Sequence, residues 1–279
     1  MKSPVDVRHR RRILCVFPRY APSFGTFQYA YPLMDGVRAF MPPQGILVVA
    51  AYLPQAWEVR LVDENIRPVC EAELTWADVV LVSGMHVQKA EMKELARRAR
   101  ACGKTSVLGG SSVSAAPEHY PEFDYLHLGE LGDATDELIR VIDNDVTPPP
   151  AQRRFVTRER LPLADFPIPA YWLIDGGRYF IGSVQFSSGC PYRCEFCDIP
   201  ALYGRQPRLK TPEQIIAELD ALIAAGIKTS IYFVDDNFIG NKKAARTLLP
   251  HLVAWQKRHG YPMQLCCEAT LNIAKSPEI

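Results

Sequence analysis

The chain has 279 residues, 48% of them apolar, and its 32 basic and 31 acidic side chains leave a formal net charge of +1. So even a balance excludes the bulk electrostatic footprint of a nucleic-acid-binding protein. The length exceeds that over which a single hydrophobic core usually grows, so two domains are expected.

At the N-terminus the basic run Arg8 to Arg12 reads as a frayed, solvated end. The apolar stretch behind it, Ile13 to Phe17, stops at Pro18, too short for a signal-peptide core or a membrane span. With eight cysteines and no secretory signal, the expectation is a cytoplasmic protein whose thiols serve metals or packing. Cys15, Cys70 and Cys102 stand singly and read as small buried hydrophobes.

Short runs rich in Val, Ile and Leu follow one another at Arg12 to Pro18, Glu58 to Asp63, Asp78 to Met85, Thr105 to Gly110 and Tyr125 to Gly129, and read as buried parallel strands. Helical patterns separate them, clearest at Gln88 to Ala101 and at Asp133 to Ile142, the latter opened by an Asp cap. A doubly wound, flavodoxin-like α/β domain with five strands is therefore expected over residues 1–146. Its ligand site should lie beyond the carboxyl ends of the strands, where Ser83, Gly84, Gly109, Gly110, Gly129 and Glu130 fall. Residues 147–178, with Pro148 to Pro150 and three later prolines, read as a linker.

From residue 179 to 279 a second alternation begins. A strand is expected at Ile181 to Phe186, a cysteine loop, a helix from Glu213 to Ala225 with Thr211 as cap and Pro212 at its first position, a strand at Ser230 to Val234, a helix from Lys242 to Lys257 and a strand at Met263 to Cys267. The loop reads Ser188-Gly-Cys-Pro-Tyr-Arg-Cys-Glu-Phe-Cys197, which sets Cys190, Cys194 and Cys197 in a Cys-x3-Cys-x2-Cys spacing. Thiolates so close in sequence suit one soft metal centre. Three ligands leave a cubane one open iron; a zinc site completed by distant Cys266 or Cys267, or uncoordinated thiols, are the alternatives.

The spacing, with aromatic Phe196 just before the third cysteine, resembles the signature of the radical S-adenosylmethionine (SAM) superfamily. The resemblance implies a [4Fe-4S] cluster on the three cysteines, whose open iron chelates the methionine end of SAM. It also implies an electron donor such as flavodoxin or ferredoxin, and reductive cleavage of SAM to a 5'-deoxyadenosyl radical. Carried onto this sequence, it places Phe196 near the adenine, Asp235 or Asp236 on the amino group in place of the usual Gly-Gly-Glu, and Glu268 on the ribose. The preceding α/β domain resembles the cobalamin-binding module of the cobalamin-dependent branch, with the six strand-end residues as contacts. Asp63-Glu-Asn-Ile-Arg67 lacks the histidine of the better-known cobalamin signature, so no imidazole below the cobalt is expected from that loop; His86 is either a substitute or a packing residue.

Longer stretches, Arg19 to Phe27, Phe40 to Gly45, Val62 to Pro68, Tyr203 to Arg208 and Phe233 to Asn241, resemble the bacterial hopanoid C-2 methylases and their relatives. That implies a methyltransferase acting on an unactivated carbon of an apolar hopanoid lipid, with location at the periphery of a membrane and no transmembrane segment. A radical enzyme of another reaction type, such as methylthiolation or rearrangement, and a catalytically incomplete cofactor-binding fragment are the competing expectations. Phe24, Phe27, Tyr29, Tyr31 and Phe40 either line a path for an apolar substrate or pack in a core. The family core is a partial (β/α)6 barrel, of which residues 179–279 supply about three units; a truncated chain that binds cofactors but turns over poorly is therefore expected.

Overall fold

Ile13-Leu14-Cys15-Val16 and Val79-Val80-Leu81-Val82 carry apolar side chains on both faces, which suits strands covered on both sides. The computed structural model describes residues 3–23, 26–227, 229–277 and 279. Those two runs form the middle of a parallel sheet there, and their side chains are almost entirely buried. The chain divides into two units, Met1–Tyr29 with Gly45–Leu161, and Ala30–Gln44 with Pro162–Ile279.

The first unit alternates β1 (Arg12–Phe17), α1 (Gln44–Tyr52), β2 (Glu58–Asp63), α2 (Glu71–Trp76), β3 (Val79–Ser83), α3 (Lys89–Ala101), β4 (Thr105–Gly109), α4 (Ser111–Ala115), β5 (Tyr125–Leu128), α5 (Asp133–Asn144) and β6 (Arg153–Val156). The strands lie in the order β2-β1-β3-β4-β5-β6, every neighbouring pair parallel. This is the expected flavodoxin-like order, with its reversal between β1 and β3. One face is covered by the amphipathic α3, which buries Met92, Leu95, Ala96 and Ala99 against Val80, Val82 and Leu108. Each fully buried Val, Leu or Met side chain among these contributes about 1.5–3 kcal/mol.

Four details of this unit differ from the sequence reading. The sheet has six strands, not five, because Arg153–Val156 from the expected linker pairs with Tyr125–Leu128. An edge strand buries little, here only Phe155, whose ring meets Tyr125 edge-on at 5.6 Å, so its apolar signal is weak. Asp133 is the first helical residue of α5, not its cap. Gly132 holds the cap position because a Cβ there would fall 2.1 Å from the Glu159 carbonyl, and the Asp133 carboxylate instead accepts the amides of Arg158 and Glu159 at 3.0 and 3.1 Å. The basic run is tied down: the amides of Arg8 and His9 donate to Asp143 at 3.0 and 2.9 Å, and Arg12 pairs with Asp78 at 2.8 Å. Of the three single cysteines only Cys15 is fully buried, its thiol pushed up to about 12, whereas Cys70 is exposed ahead of α2 and Cys102 half-buried.

The second unit contains β7 (Gly182–Val184), β8 (Ser187–Ser188), α6 (Ile199–Leu202), β9 (Arg208–Leu209), α7 (Pro212–Ala224), β10 (Ser230–Phe233), α8 (Lys242–Arg258) and β11 (Gln264–Cys267). A three-stranded parallel sheet runs β11-β10-β7, and β8 pairs antiparallel with β9. Thr211 caps α7 as the sequence predicts: its hydroxyl accepts the Gln214 amide at 3.2 Å while the Gln214 side chain accepts the Thr211 amide at 2.8 Å. Helices α7 and α8 bury Ile215, Leu219, Leu222, Leu248, Leu252 and Trp255. Residues 30–44, which the sequence reading places in the first domain, belong to this unit. Ala39 bridges Tyr179 in parallel, and the Phe180 and Ile181 amides donate to Ala39 and Phe40 at 2.9 and 3.0 Å. No helix among the described residues is long and apolar enough to cross a membrane.

Candidate functional site

Cys190, Cys194 and Cys197 lie on the loop between β8 and α6. Gly189 turns the chain into that loop at φ +96°, and the Cys190 amide donates to the Gly204 carbonyl at 3.2 Å, so the loop is closed at its base. Cys190 is buried, Cys197 half-buried and Cys194 exposed, and none is in a disulfide. Phe196 between them is 94% exposed. Among the described residues no three His, Cys, Asp or Glu side chains converge as metal ligands, so the three thiols share one loop without being gathered. Cys266 and Cys267, the distant candidates for a zinc site, instead border an apolar cavity of about 360 Å³ with Phe233, Phe238 and Leu252. Three free soft donors on one closed loop suit an iron-sulfur cluster better than a hard cation.

The residues after β10 hold that loop. Asp235 is buried; its carboxylate accepts the Phe186 amide at 3.0 Å and both the amide and the hydroxyl of Ser187. Burial, reinforced by neighbouring Asp236, pushes it up to about 6 against those donors. Both its oxygens are thus engaged in fixing the end of β7 and the start of β8. Asp236 accepts the Gly189 amide at 2.8 Å, one residue before the first cysteine. Glu268, just beyond β11, is exposed and accepts the Tyr232 hydroxyl at 2.6 Å. The structure therefore brings Asp235 and Asp236 to the base of the cysteine loop and sets Glu268 at the end of the adjacent strand.

Sequence reasoning missed the polar residues around these. Lys210 and Glu218 form a fully buried ion pair at 2.5 Å, and the Lys210 amide donates to Phe186 at 2.9 Å, which anchors the β8-β9 clasp. Burial holds the Glu218 carboxyl above its ordinary value. Arg208 donates to the Ser188 hydroxyl at 2.9 Å. Asn237, next to the predicted Asp235-Asp236 pair, is buried and bonded to Thr270. A buried Lys eight residues from a Glu across a strand-to-helix turn leaves no distinctive mark in sequence.

In the first unit the predicted residues line the carboxyl ends of three adjacent strands. Ser83 and Gly109 are register partners at the ends of β3 and β4. Gly110 stands at φ +104°, where a Cβ would come within 2.9 Å of the Ser83 hydroxyl, and Gly129, beyond β5, at φ +102°, within 3.0 Å of Thr157. Gly84 is crowded by Met92 and Gln88, a packing demand of α3. Gly109 differs: a Cβ there would make only ordinary contact, 3.9 Å from the His127 Cβ. The Glu130 carboxylate lies 3.5 Å from Arg160. Behind this edge His127 bonds Thr135 at 2.9 Å, and burial drops it to about 4. His86 is exposed, its ring 6.0 Å from that of His119. Of the aromatic stretch, Tyr31 is buried, Phe40 packs near Phe180 at 6.1 Å and Tyr29 is 78% exposed, while Phe24 lies outside the described residues.

A B12 binding domain model matches residues 32–139, and a radical SAM superfamily model matches residues 184–271. The chain is 65% identical over 269 residues to a hopanoid C-2 methylase of Rhodopseudomonas palustris (strain TIE-1), covering 96% of this chain and 51% of that protein. It is 40% identical over 271 residues to an uncharacterised methyltransferase of Synechocystis sp. (strain ATCC 27184), covering 96% and 49%. The chain thus spans about half the length of these curated relatives. Among solved structures, the cobalamin-dependent SAM radical enzyme OxsB, with aqua-cobalamin and SAM bound, matches at a TM-score of 0.67 and 18% identity over 91% of this chain and 38% of its own. The radical SAM methyltransferase TsrM from Kitasatospora setae matches at 0.63 and 18% over 92% and 54%. At those identities the likeness concerns the fold. The parallel α/β unit thus carries most of a match to the B12 binding domain family, and the three-cysteine loop lies within a match to the radical SAM superfamily.

Proposed function

We propose that this chain carries the cofactor-binding machinery of a radical SAM C-methyltransferase that methylates an unactivated carbon, C-2 of a hopanoid. The observation that carries the reading is the 65% identity to a hopanoid C-2 methylase over 96% of the chain. Cys190, Cys194 and Cys197 would hold a [4Fe-4S] cluster, and the strand-end residues Ser83, Gly109, Gly110, Gly129 and Glu130 a cobalamin. Together with SAM these groups would supply a radical and a methyl donor, chemistry that reaches a carbon inert to polar attack.

The chain's own residues prepare the site. Gly189, with Asp235 and Asp236, fixes the base of the cysteine loop through the amides of residues 186, 187 and 189. Phe196, exposed on the loop, would cover an adenine, and the exposed Glu268 would meet ribose hydroxyls. Asp236, less buried than Asp235, is the better partner for an ammonium. Gly109, with no side chain at the end of β4, would let a flat ligand approach the backbone there. The electron donor is a flavodoxin or ferredoxin, and an apolar lipid substrate would draw the protein to a membrane surface.

Anaerobic reconstitution tests the cluster: about four irons and four sulfides per chain, with the spin-resonance signal of a reduced cubane lost in Cys194→Ala, is the expected result. Zinc in place of iron, or a signal untouched in Cys194→Ala, overturns it. Stoichiometric uptake of a corrinoid, read from its visible spectrum, tests the first unit. Hopanoids from cells with and without the gene test the substrate; unchanged 2-methylhopanoid content overturns that assignment.

A further inference from the structure

Asn237, the residue after the two aspartates, begins a separate chain of hydrogen bonds. Its side-chain amide donates to the Thr270 hydroxyl at 3.3 Å, and its carbonyl accepts the Thr270 amide at 3.4 Å. The Thr270 hydroxyl donates to Asn272 Oδ1 at 2.6 Å, and Asn272 Nδ2 donates to the hydroxyl of Tyr192. Tyr192 lies between the first and second cysteines. The far end of the chain is itself held, because Lys242 in the first turn of α8 donates to Ser276 Oγ at 2.7 Å and to the Asn272 carbonyl at 3.4 Å.

Three consecutive residues after β10 therefore grip three different segments. Asp235 takes residues 186 and 187, Asp236 takes Gly189, and Asn237 takes the turn after β11. The first two fix the base of the cysteine loop. Only the third reaches the part of the loop between the cysteines, through Asn272 and Tyr192. The other tie to that stretch is Arg205, which donates to the Pro191 carbonyl at 2.9 Å next to Cys190, and Cys194 stands exposed.

We propose that Asn272, linked to Asn237 through Thr270, is a positioning residue for the iron-sulfur cluster: the strut Asn237-Thr270-Asn272-Tyr192 holds the middle of the cysteine loop in the conformation that lets Cys190 and Cys194 ligate one cubane. The inference rests on the cluster assignment above. Neither Asn272 nor Tyr192 is among the proposed ligands of the cluster. Both act by limiting the alternatives open to the loop, so their removal accelerates cluster loss while the fold remains.

The test uses the full 279-residue chain, reconstituted anaerobically, in four forms: unaltered, Asn272→Ala, Tyr192→Phe and Asn272→Asp. Iron release to a chelator is followed with time, together with the midpoint potential of the cluster and the urea unfolding midpoint. Asn272→Ala and Tyr192→Phe should release iron roughly fivefold faster, the weight of one hydrogen bond in a local opening equilibrium, with a shifted potential and an unchanged urea midpoint. Asn272→Asp keeps an acceptor for Thr270 and offers an oxygen to the Tyr192 hydroxyl, so it should behave as the unaltered chain. Release at the unaltered rate in both disabling variants overturns the strut while leaving the cluster assignment standing. An unaltered chain that takes up no iron overturns the cluster assignment, and the strut with it.

Discussion

Replacing Gly189 by alanine perturbs the site at one defined point. The residue stands at φ +96°, a region that an L side chain enters at a cost of about 1–2 kcal/mol. The new Cβ would also lie 2.9 Å from the Gly204 carbonyl oxygen and 3.3 Å from those of Gln206 and Tyr203. Those oxygens belong to backbone that closes the cysteine loop, so they cannot swing aside as a side-chain tip would; the crowding adds about 1–3 kcal/mol. A destabilisation of roughly 3 kcal/mol is expected, concentrated at the β8-β9 clasp. Amide hydrogen exchange of residues 187–190 and 204–209 in mild urea measures it, and iron content after reconstitution reports the consequence. Gly45→Ala is the control, since a Cβ there meets nothing within 4 Å inside α1, and it should be neutral or slightly stabilising. Exchange in Gly189→Ala within about 0.5 kcal/mol of the unaltered chain, with full iron content, would refute the claim that the turn shapes the loop.

Lys210→Met leaves Glu218 buried without its partner and should cost about 3–5 kcal/mol in urea unfolding, largely recovered by adding Glu218→Leu; an equally unstable double variant would sink this account. Burial drops His127 to about 4 from 6.5, so between those values the unfolded chain takes a proton that the folded one refuses. Stability should fall by at most about 3 kcal/mol as the pH drops from 6.5 to 4, a slope missing from His127→Gln, and parallel profiles for the two proteins would contradict it. Asp235 has the opposite sign. Held at about 6, it keeps its proton in the folded state while the unfolded carboxyl loses it near 3.8, so its contribution is full below 3.8 and declines up to pH 6. Comparison with Asp235→Asn over that window checks the direction. Gly109→Ala, whose Cβ would make only ordinary contact with His127, should leave the urea midpoint nearly unchanged yet lower corrinoid uptake, and undiminished uptake would remove Gly109 from the cobalamin site.

The parallel α/β unit was legible because its inner strands are apolar on both faces and its helices carry a stripe, both local properties of the chain. The sixth strand was not, since Arg153 and Arg154 look like linker and only Phe155 enters the core. Residues 30–44 were equally opaque. Their bonds run to residues 178–183, about 140 positions away, and no periodicity announces a partner at that distance. Within the site, Asp235 and Asp236 were singled out by their acidity. Their hydrogen bonds, however, show that Asp235 is occupied by backbone amides, and the neutral Asn237 beside them carries a connection that charge alone did not suggest.

The sequence by itself determined the three cysteines and their spacing, the alternation that folds into parallel sheets, and the capped start of α7 at Thr211, because each depends on residues a few positions apart. Only the tertiary structure decided which side chains hold the cysteine loop and which are left for ligands. Asp235, Asp236 and Asn237 acquire their partners from segments 33 to 49 positions away, and that selection is made by how β7, β10 and β11 align, not by any pattern in the chain.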